Sequence, residues 1–236
     1  DFNMAITGIY GKLRHPFFNE VFPCFDNLSD NSFDKNGEGG AQYMMLGEID
    51  PTSGGYISDL FDLSYSAIAR INQFIERLDA YQGKDLSTES RKNFMGQAKF
   101  FRAFYYMYLN LCYGSVPLIT KTLNLEEQYV PTTPSAEVYA QVMKDFDEAI
   151  ANLPDVTYGE SKGHITKDAA KAFKAKIMLQ HAYVKGVPNK TELTNILSLL
   201  ESIKGYSLQE NYSDLFESTT QESSPEIMFS VKNLAP

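Results

Sequence analysis

The sequence predicts a mainly α-helical fold built from antiparallel helix pairs. Apolar residues recur at three- and four-residue steps through several segments between residues 57 and 204, which is the spacing of one face of an α-helix. Short or moderate loops separate these segments, so consecutive helices are expected to pack side by side as in a helical solenoid. The segments do not follow one fixed repeat length, so period alone does not establish a regular tetratricopeptide array.

Length and composition limit the class of protein. The chain has 236 residues, of which 43% are hydrophobic and 22% charged, values typical of a folded domain with a sizeable core. The formal net charge is −9. Such a surface repels phosphate backbones and anionic lipid headgroups, so no nucleic-acid partner is expected. The sequence contains no apolar run long enough to span a bilayer.

The first part of the chain, residues 1–56, is predicted to be rich in loops. Residues 26–55 carry many Asp, Asn, Ser and Gly residues without sustained periodicity, a composition typical of a loop. A loop of this length in a compact domain is more often functional than idle. Aromatic residues around it either pin the loop down or face outward: Phe17, Phe18, Phe22, Phe25, Phe33, Tyr43 and Tyr56.

Two long helices are predicted next. The first spans residues 57–82 and is followed by Gly83, which is placed to end the helix in the left-handed conformation. The second spans residues 88–113 and can be capped by Ser87 or Thr88. A glycine and a proline shortly after residue 113 stop it.

The second of these helices is predicted to be the central strut of the fold. Between residues 100 and 113 its polar side chains are Arg102 and Asn110, and a helix that is apolar all round must be packed on several sides. Its many rings are therefore interpreted as core and not as a cofactor pocket. Cys112 is expected to be buried there as a small hydrophobic residue. A disulfide with Cys24 stays open, because the sequence supplies no distance.

Further helices are predicted at residues 134–153, 167–185 and 191–204. Thr133 is expected to cap the first of them, with a proline at its first position. Thr166 is expected to cap the second, in which several alanines permit close approach of a neighbouring helix.

Catalytic and metal-binding motifs are absent from the sequence. It contains no GxSxG, no HExxH, no glycine-rich phosphate loop and no CxxC pair. Its histidines, His15, His164 and His181, stand in unlike contexts, and the carboxylates Asp145 and Glu148 are interpreted as part of a solvated helix face. We therefore expect neither an enzyme nor a bound cofactor or metal.

One segment resembles the hallmark of a known family. Residues 96–118 read GQAKFFRAFYYMYLNLCYGSVPL. This order of a small-residue start, Phe-Phe-Arg-Ala, an aromatic run and Tyr-Gly-Ser-Val-Pro-Leu is similar to that of the SusD/RagB family. Members of that family are surface lipoproteins of Bacteroidetes that capture nutrients for a TonB-dependent transporter.

Other blocks resemble the same family in the same order. Tyr65, Ile68 and Asn72 are similar to its Tyr-x-x-Ile-x-x-x-Asn helix. Further similar blocks are found at residues 137–154, 166–179, 206–216 and 224–229. The chain departs from the family at Lys99, where a polar or acidic residue is usual, and at His164, where arginine is common.

The resemblance implies a right-handed α-α superhelix of tetratricopeptide-like helix pairs with long irregular loops. We expect one SusD-like helical domain over residues 1–236, corresponding to the amino-terminal part of a longer family chain. Residues 1–56 would be loop-rich, residues 57–205 would form helix pairs, and residues 206–236 would be irregular apart from a strand-like run at 226–232. The family's lipidated cysteine is expected outside this sequence.

The resemblance also implies a function. A family member of this kind binds oligosaccharide nutrients at the cell surface, without catalysis, and delivers them to a SusC-like TonB-dependent transporter of the outer membrane. A peptide ligand also fits the family, and a helical-repeat adaptor that recruits another protein is an alternative of a different class.

Candidate ligand-binding residues combine rings with polar groups. A pyranose offers flat C–H patches that stack on aromatic faces, and its hydroxyls need carboxylate or amide partners. Phe61 occupies a position similar to that of an aromatic residue that contacts ligand in some relatives. The expected ligand-binding set is Asp30, Asn31, Asp34, Tyr43, Tyr56 and Phe61, and helical faces carrying Asp145, Asp147, Glu148 and Asp168 are alternative contacts for the transporter.

Overall fold

The computed structural model confirms a mainly α-helical chain. It describes residues 2–14, 22–29, 32–33, 35, 41–49, 55–157, 159–161, 163–184, 186–217 and 224–231. The α-helices in these ranges are α1 (Phe2–Tyr10), α2 (Phe22–Asn27), α3 (Ala41–Leu46), α4 (Tyr56–Ala80), α5 (Thr88–Tyr113), α6 (Ser135–Asn152), α7 (Lys167–Val184) and α8 (Lys190–Glu201). Single 3-10 turns occur at Gly11–Leu13 and Tyr212–Leu215.

The connection between α5 and α6 contains two short antiparallel strands. Strand β1 (Val116–Pro117) pairs with β2 (Thr132–Thr133), and Val116 lies opposite Thr133.

The chain divides into two compact units. One contains Asp1–Ala80 and Tyr108–Val138, and the other contains Tyr81–Met107 and Tyr139–Pro236.

In the first unit, α1 packs on α4. Ile6 and Ile9 of α1 and Leu13 of the following turn are buried. Phe2 meets Phe74 edge-on, with ring centroids 5.9 Å apart. This favourable ring geometry adds to the burial of apolar surface. The α1 helix was not predicted, because nine residues are too few to display helical periodicity.

Helix α4 also holds the chain that follows α5. The Tyr65 hydroxyl donates to the Pro117 carbonyl at 2.6 Å. The Asn72 amide donates to the carbonyls of Ile119 and Lys121 at 2.9 and 3.2 Å. These side chains thus supply hydrogen-bond donors to backbone carbonyls of the segment that begins at β1. The extended segment after β1 is thereby fixed against α4.

In the second unit, a ring cluster centred on Phe100 confirms that α5 is core. Each side chain from Phe100 to Met107 is buried. The Phe100 ring lies between 5.3 and 6.3 Å from the rings of Phe101, Phe104, Phe146, Phe173 and Phe229. Helices α5, α6 and α7 and the later residue 229 thus share one aromatic core.

The prediction that Asp145 lies on a solvated face was wrong. Asp145 is fully buried, and its carboxylate receives two hydrogen bonds from the Arg102 guanidinium, at 2.7 and 2.8 Å. Lys99 lies 3.6 Å from Asp145 and 2.7 Å from Glu148. The buried cation inside the apolar stretch of α5 requires an anion, and α6 supplies it. Asp145 therefore does not form part of a transporter-facing surface.

Asp168 also differs from its expected place. It is buried and paired with Lys171 at 2.8 Å. Asp168 therefore does not present a free carboxylate to a partner. Asp147, in contrast, is exposed as expected and pairs with Lys174.

Two helix starts are capped by the side chains predicted from the sequence. Ser87 Oγ accepts the backbone N–H of Ser90 at 3.0 Å, and Thr166 Oγ1 accepts that of Ala169 at 3.2 Å. Helix α8 starts with an unpredicted capping box between Asn189 and Glu192. Thr133 was expected to cap α6 but lies in β2 instead, and α6 begins at Ser135.

Gly83 does not end α4 in the left-handed conformation. The helix ends earlier, at Ala80, and Gly83 is not among the glycines with positive φ. A Cβ at Gly83 would lie 2.2 Å from the hydroxyl oxygen of Tyr81, which donates to Asp85. A Cβ at this position would therefore displace the side chains of Tyr81 and Asp85 from their contact.

Two loop predictions also need correction. Residues 26–55 were expected to be a loop, but the described part includes the end of α2 and the whole of α3. The strand-like run at 226–232 does not pair as a strand within residues 224–231. Its Phe229 packs instead on Phe100.

In the part of the chain that the structure describes, no helix is both long and apolar enough to cross a bilayer.

We expect Asp145→Asn to destabilise the chain by about 3 kcal/mol, because it removes the anion from a buried pair and leaves Arg102 charged and buried. Asp147→Asn is the matched control, since the same substitution two residues away removes a carboxylate whose side chain is 62% exposed; its cost should stay below about 1 kcal/mol. Urea unfolding followed by circular dichroism measures both. Equal losses for the two variants would contradict the role of the buried pair.

We expect Gly96→Ala and Gly8→Ala to change stability in opposite directions. A Cβ at Gly96 of α5 would lie 2.9 Å from Leu153 Cγ and 3.0 Å from the Leu153 backbone nitrogen, so Ala should cost about 1–3 kcal/mol. A Cβ at Gly8 of α1 meets nothing within 4 Å, so Ala should stabilise the helix by up to about 1 kcal/mol. Thermal unfolding distinguishes these signs, and a neutral Gly96→Ala would show that α5 and α6 can separate at little cost.

Candidate functional site

An aromatic cluster lies where the start of α4 meets the end of α5. We call it the Phe61 cluster, and it consists of Phe61, Tyr65 and Tyr113. The Phe61 and Tyr65 ring centroids are 4.7 Å apart, and the Phe61 ring meets Tyr113 edge-on at 5.4 Å. Phe61 and Tyr65 are four residues apart on α4, so the helical repeat places them on one face.

Hydrogen bonds to the backbone fix both tyrosines of the cluster. Tyr65 donates to the Pro117 carbonyl, and Tyr113 donates to the Ile57 carbonyl. Phe61 has no polar atom and is half-buried. Two locked rings therefore support a third whose remaining surface faces solvent, an arrangement suited to stacking against an apolar ligand face.

Carboxylates stand near these rings. The pKa of Tyr113 is raised, mainly because burial desolvates its ionised form and also because Cys112, Asp62 and Asp59 disfavour a negative charge. Tyr113 therefore remains a protonated hydrogen-bond donor at neutral pH. Asp62 is exposed and Asp59 is half-buried. Their oxygens are the type of acceptor that a sugar hydroxyl needs.

The structure places the predicted residues as follows. Phe61 lies in the cluster, and Tyr56 is the first residue of α4 and is half-buried. Tyr43 lies on α3, where its side chain is exposed. The remaining predicted ligands, Asp30, Asn31 and Asp34, lie outside the described residues.

Sequence reasoning missed part of this site. Tyr113 was interpreted as core, and Asp59 and Asp62 were not singled out. The four-residue spacing of Phe61 and Tyr65 was visible in the sequence and indicates a shared helix face. The approach of Tyr113 depends on how α4 and α5 pack, which local spacing does not report.

The described residues contain no cluster of side chains that could bind a metal ion. No group of three or more His, Cys, Asp and Glu side chains within these ranges is placed to hold a metal ion. His164 contacts the Gln97 side chain of α5 at 3.2 Å.

Cys112 differs from its expected burial. It is a free, exposed residue in the last turn of α5, so it is not bridged to Cys24. Surrounding protein atoms nevertheless desolvate the thiolate and raise the pKa of Cys112 to about 11. The apolar run around it predicted burial, but the helix end turns this position toward solvent.

The fold and the ring cluster together define a class of protein. The chain is a helical domain of the kind seen in solved SusD-like structures, with aromatic side chains gathered where its two longest helices meet. It belongs to the SusD-like family: the family model described as "starch-binding associating with outer membrane" matches residues 6–179. The family prediction made from the sequence is thereby confirmed.

Individual relatives support the same assignment. The chain is 29% identical to SusD-like protein P25 of Formosa agariphila over 177 residues, which is 74% of this chain and 32% of that protein. It is 26% identical to a SusD-like protein of Bacteroides ovatus over 159 residues, or 65% of this chain and 29% of that one.

Solved structures show the fold. A SusD-like carbohydrate-binding protein of Bacteroides fragilis superposes with a TM-score of 0.77 at 27% identity, covering 97% of this chain and 45% of that one. A laminarin-binding SusD-like protein gives a TM-score of 0.78 at 24% identity, covering 97% and 50%. The chain thus spans about a third of the length of its curated relatives and about half of these structures.

We expect alkylation of Cys112 by iodoacetamide to be slow at neutral pH despite its exposure, because its raised pKa keeps it protonated. In the native chain the rate should rise toward a midpoint near the pKa of about 11, against an ordinary value of 9.0. Peptide mapping by mass spectrometry identifies the modified residue, and the urea-unfolded chain is the control. The same midpoint in native and unfolded chains would contradict the desolvation of this thiol.

Proposed function

We propose that this chain forms part of a non-catalytic cell-surface protein that binds oligosaccharide nutrients. The protein delivers them to a SusC-like TonB-dependent transporter and is held at the outer membrane by a lipid anchor. The family match over residues 6–179, to a model described as starch-binding and associated with the outer membrane, carries this proposal. Structural relatives named as laminarin-binding and as a surface glycan-binding protein of Bacteroides uniformis support a carbohydrate ligand.

The Phe61 cluster is the proposed contact for the saccharide. A pyranose face can stack on the exposed part of the Phe61 ring, which Tyr65 and Tyr113 hold in place. Asp62 can accept hydrogen bonds from the hydroxyls at the edge of the sugar. Because the supporting rings are already fixed, little side-chain entropy is lost on binding.

Other predicted residues keep proposed roles. Tyr43 and Tyr56 are proposed as additional stacking surfaces, since neither is fully buried. The roles of Asp30, Asn31 and Asp34 stay predictions. Reversible stacking and hydrogen bonding need no bond to be broken in the ligand, so the proposed activity is capture and release.

We expect Phe61→Ala to weaken binding of an oligosaccharide by about tenfold, through loss of stacking and of apolar contact. Asp62→Asn should weaken it less and, because Asp62 is exposed, should leave folding unchanged. Phe216→Ala is the matched control, since its ring is 69% exposed and lies on the other compact unit. Isothermal titration calorimetry with maltoheptaose and laminarihexaose measures the affinities.

The same titrations decide between the proposed function and its alternatives. Saturable binding of a saccharide that Phe61→Ala weakens and Phe216→Ala does not supports the proposal. Binding of peptides but of no saccharide would favour the peptide-binding alternative. Retention on an immobilised barrel transporter without binding of any small ligand would favour the adaptor.

A further inference from the structure

The loop between β1 and β2 exposes two large apolar side chains. Leu125 is 86% exposed and Tyr129 is 89% exposed. Single exposed apolar residues are ordinary on protein surfaces. Here the two residues belong to one loop, residues 118–131, whose shape is held by side-chain hydrogen bonds. We call this segment the Leu125 loop.

The tip of the Leu125 loop is a locked turn. Asn124 Oδ1 accepts the backbone N–H groups of Glu126 and Glu127 at 2.9 and 3.1 Å. The Glu127 carboxylate accepts the Asn124 N–H at 3.2 Å and pairs with Lys121. An Asn side chain that mimics a backbone turn in this way holds the loop without regular secondary structure.

The base of the loop is anchored on α4. Glu76 accepts the backbone N–H of Thr122 at 2.7 Å, and Asn72 donates to the carbonyls of Ile119 and Lys121. The hydrogen bonds from Thr122 lower the pKa of Glu76, so it remains a carboxylate at neutral pH. The loop is therefore fixed before any ligand arrives, which reduces the entropy cost of binding.

The tip of the loop lines a broad surface depression that is open to solvent. Two apolar and three polar side chains line it: Leu123, Leu125, Asn124, Glu126 and Gln128. Tyr129 follows directly. Among the described residues, no hydrogen bond engages the side chains of Glu126 or Gln128, so both can serve a ligand.

We propose that the Leu125 loop is a second carbohydrate-binding site, separate from the Phe61 cluster. Tyr129 supplies the ring that stacks on a pyranose face, Leu125 contacts its C–H surface, and Glu126 and Gln128 bond its hydroxyls. The proposal rests on the proposed function, because it takes the same class of ligand. It adds a contact that none of the predicted ligand residues provides.

The charge and pattern of the loop favour a neutral glycan. Lys121 is already paired with Glu127, and Glu126 carries an unpaired negative charge among the described residues, so an anionic ligand is disfavoured. A protein interface has a continuous apolar centre with a polar rim. In the Leu125 loop, three polar residues, 126–128, separate the two exposed apolar side chains Leu125 and Tyr129, so polar groups lie between the apolar contacts, as a ligand with hydroxyls around an apolar face requires.

The test uses Phe61→Ala as background, so that the residual binding reports on the loop. We expect this chain to retain saturable, weaker binding of maltoheptaose or laminarihexaose by calorimetry. Adding Tyr129→Ala should weaken that residual binding by about tenfold. Tyr212→Ala is the matched control, because that ring is also mostly exposed, at 73%, and lies outside the loop.

A direct readout complements the affinities. In the chain with native Phe61, methyl NMR signals of Leu125 should shift on titration with the same saccharide, whereas those of Leu208, an equally exposed leucine at 82%, should not. Each variant is compared by circular dichroism to verify folding. Binding that disappears entirely in Phe61→Ala, with Leu125 signals unmoved, would overturn the second site while leaving the proposed function intact.

The remaining outcomes are also decisive. Residual binding that Tyr129→Ala leaves unchanged would assign it to another surface and overturn the second site. Absence of binding of any saccharide to the unmodified chain would overturn the proposed function and, with it, this proposal.

Discussion

Helix α5 is apolar around most of its circumference, and both compact units depend on keeping water from it. Each side chain from Phe100 to Leu109 is buried, and four of them, Arg102, Tyr105, Tyr106 and Tyr108, also carry polar atoms. Burial of so much aromatic surface favours folding strongly, but it obliges each polar group in the stretch to find partners inside the protein. The position of neighbouring elements follows from those partners.

Arg102 and Asn110 show this requirement in the two units. Arg102, in the part of α5 that belongs to the second unit, is neutralised by Asp145 of α6. Asn110, in the part that belongs to the first unit, donates to the carbonyls of Gly114 and Ser135 at 3.0 and 3.1 Å. The same helix thus gives each unit a buried polar anchor, and each anchor sets where α6 meets α5 in that unit.

Periodicity in the sequence was sufficient to predict helices α4 to α8, because their apolar faces extend over several turns. It did not reveal α1 to α3, since six to nine residues are too short for a repeat to become visible. It also placed Asp145 in solvent, because an ion pair between distant segments leaves no local pattern. Gly83 was predicted to end α4 because of its position, whereas the helix ends at Ala80 and the side chain of Tyr81 lies over Gly83.

The candidate site shows the same division between local and tertiary information. Phe61 could be proposed from its place in a helix, and its spacing from Tyr65 indicates a common face. Tyr113 joins them only through packing, so the sequence could not distinguish a wall of the site from the core. Likewise, no local pattern singles out the Leu125 loop, whose exposed ring matters because hydrogen bonds to Glu76 and Asn72 hold the loop in one shape.

The proposed capture of a nutrient sets a further physical requirement, because a ligand that is to be handed on must also be released. A deep, closed pocket would bind tightly through complete desolvation but would dissociate slowly. The Phe61 ring is half-buried and the depression at the Leu125 loop is open, so each contributes a limited apolar contact. A saccharide long enough to reach both contacts would gain affinity from effective concentration, while each contact could still open separately. Rigid supports with partly exposed rings therefore suit reversible capture better than a single enclosed site does.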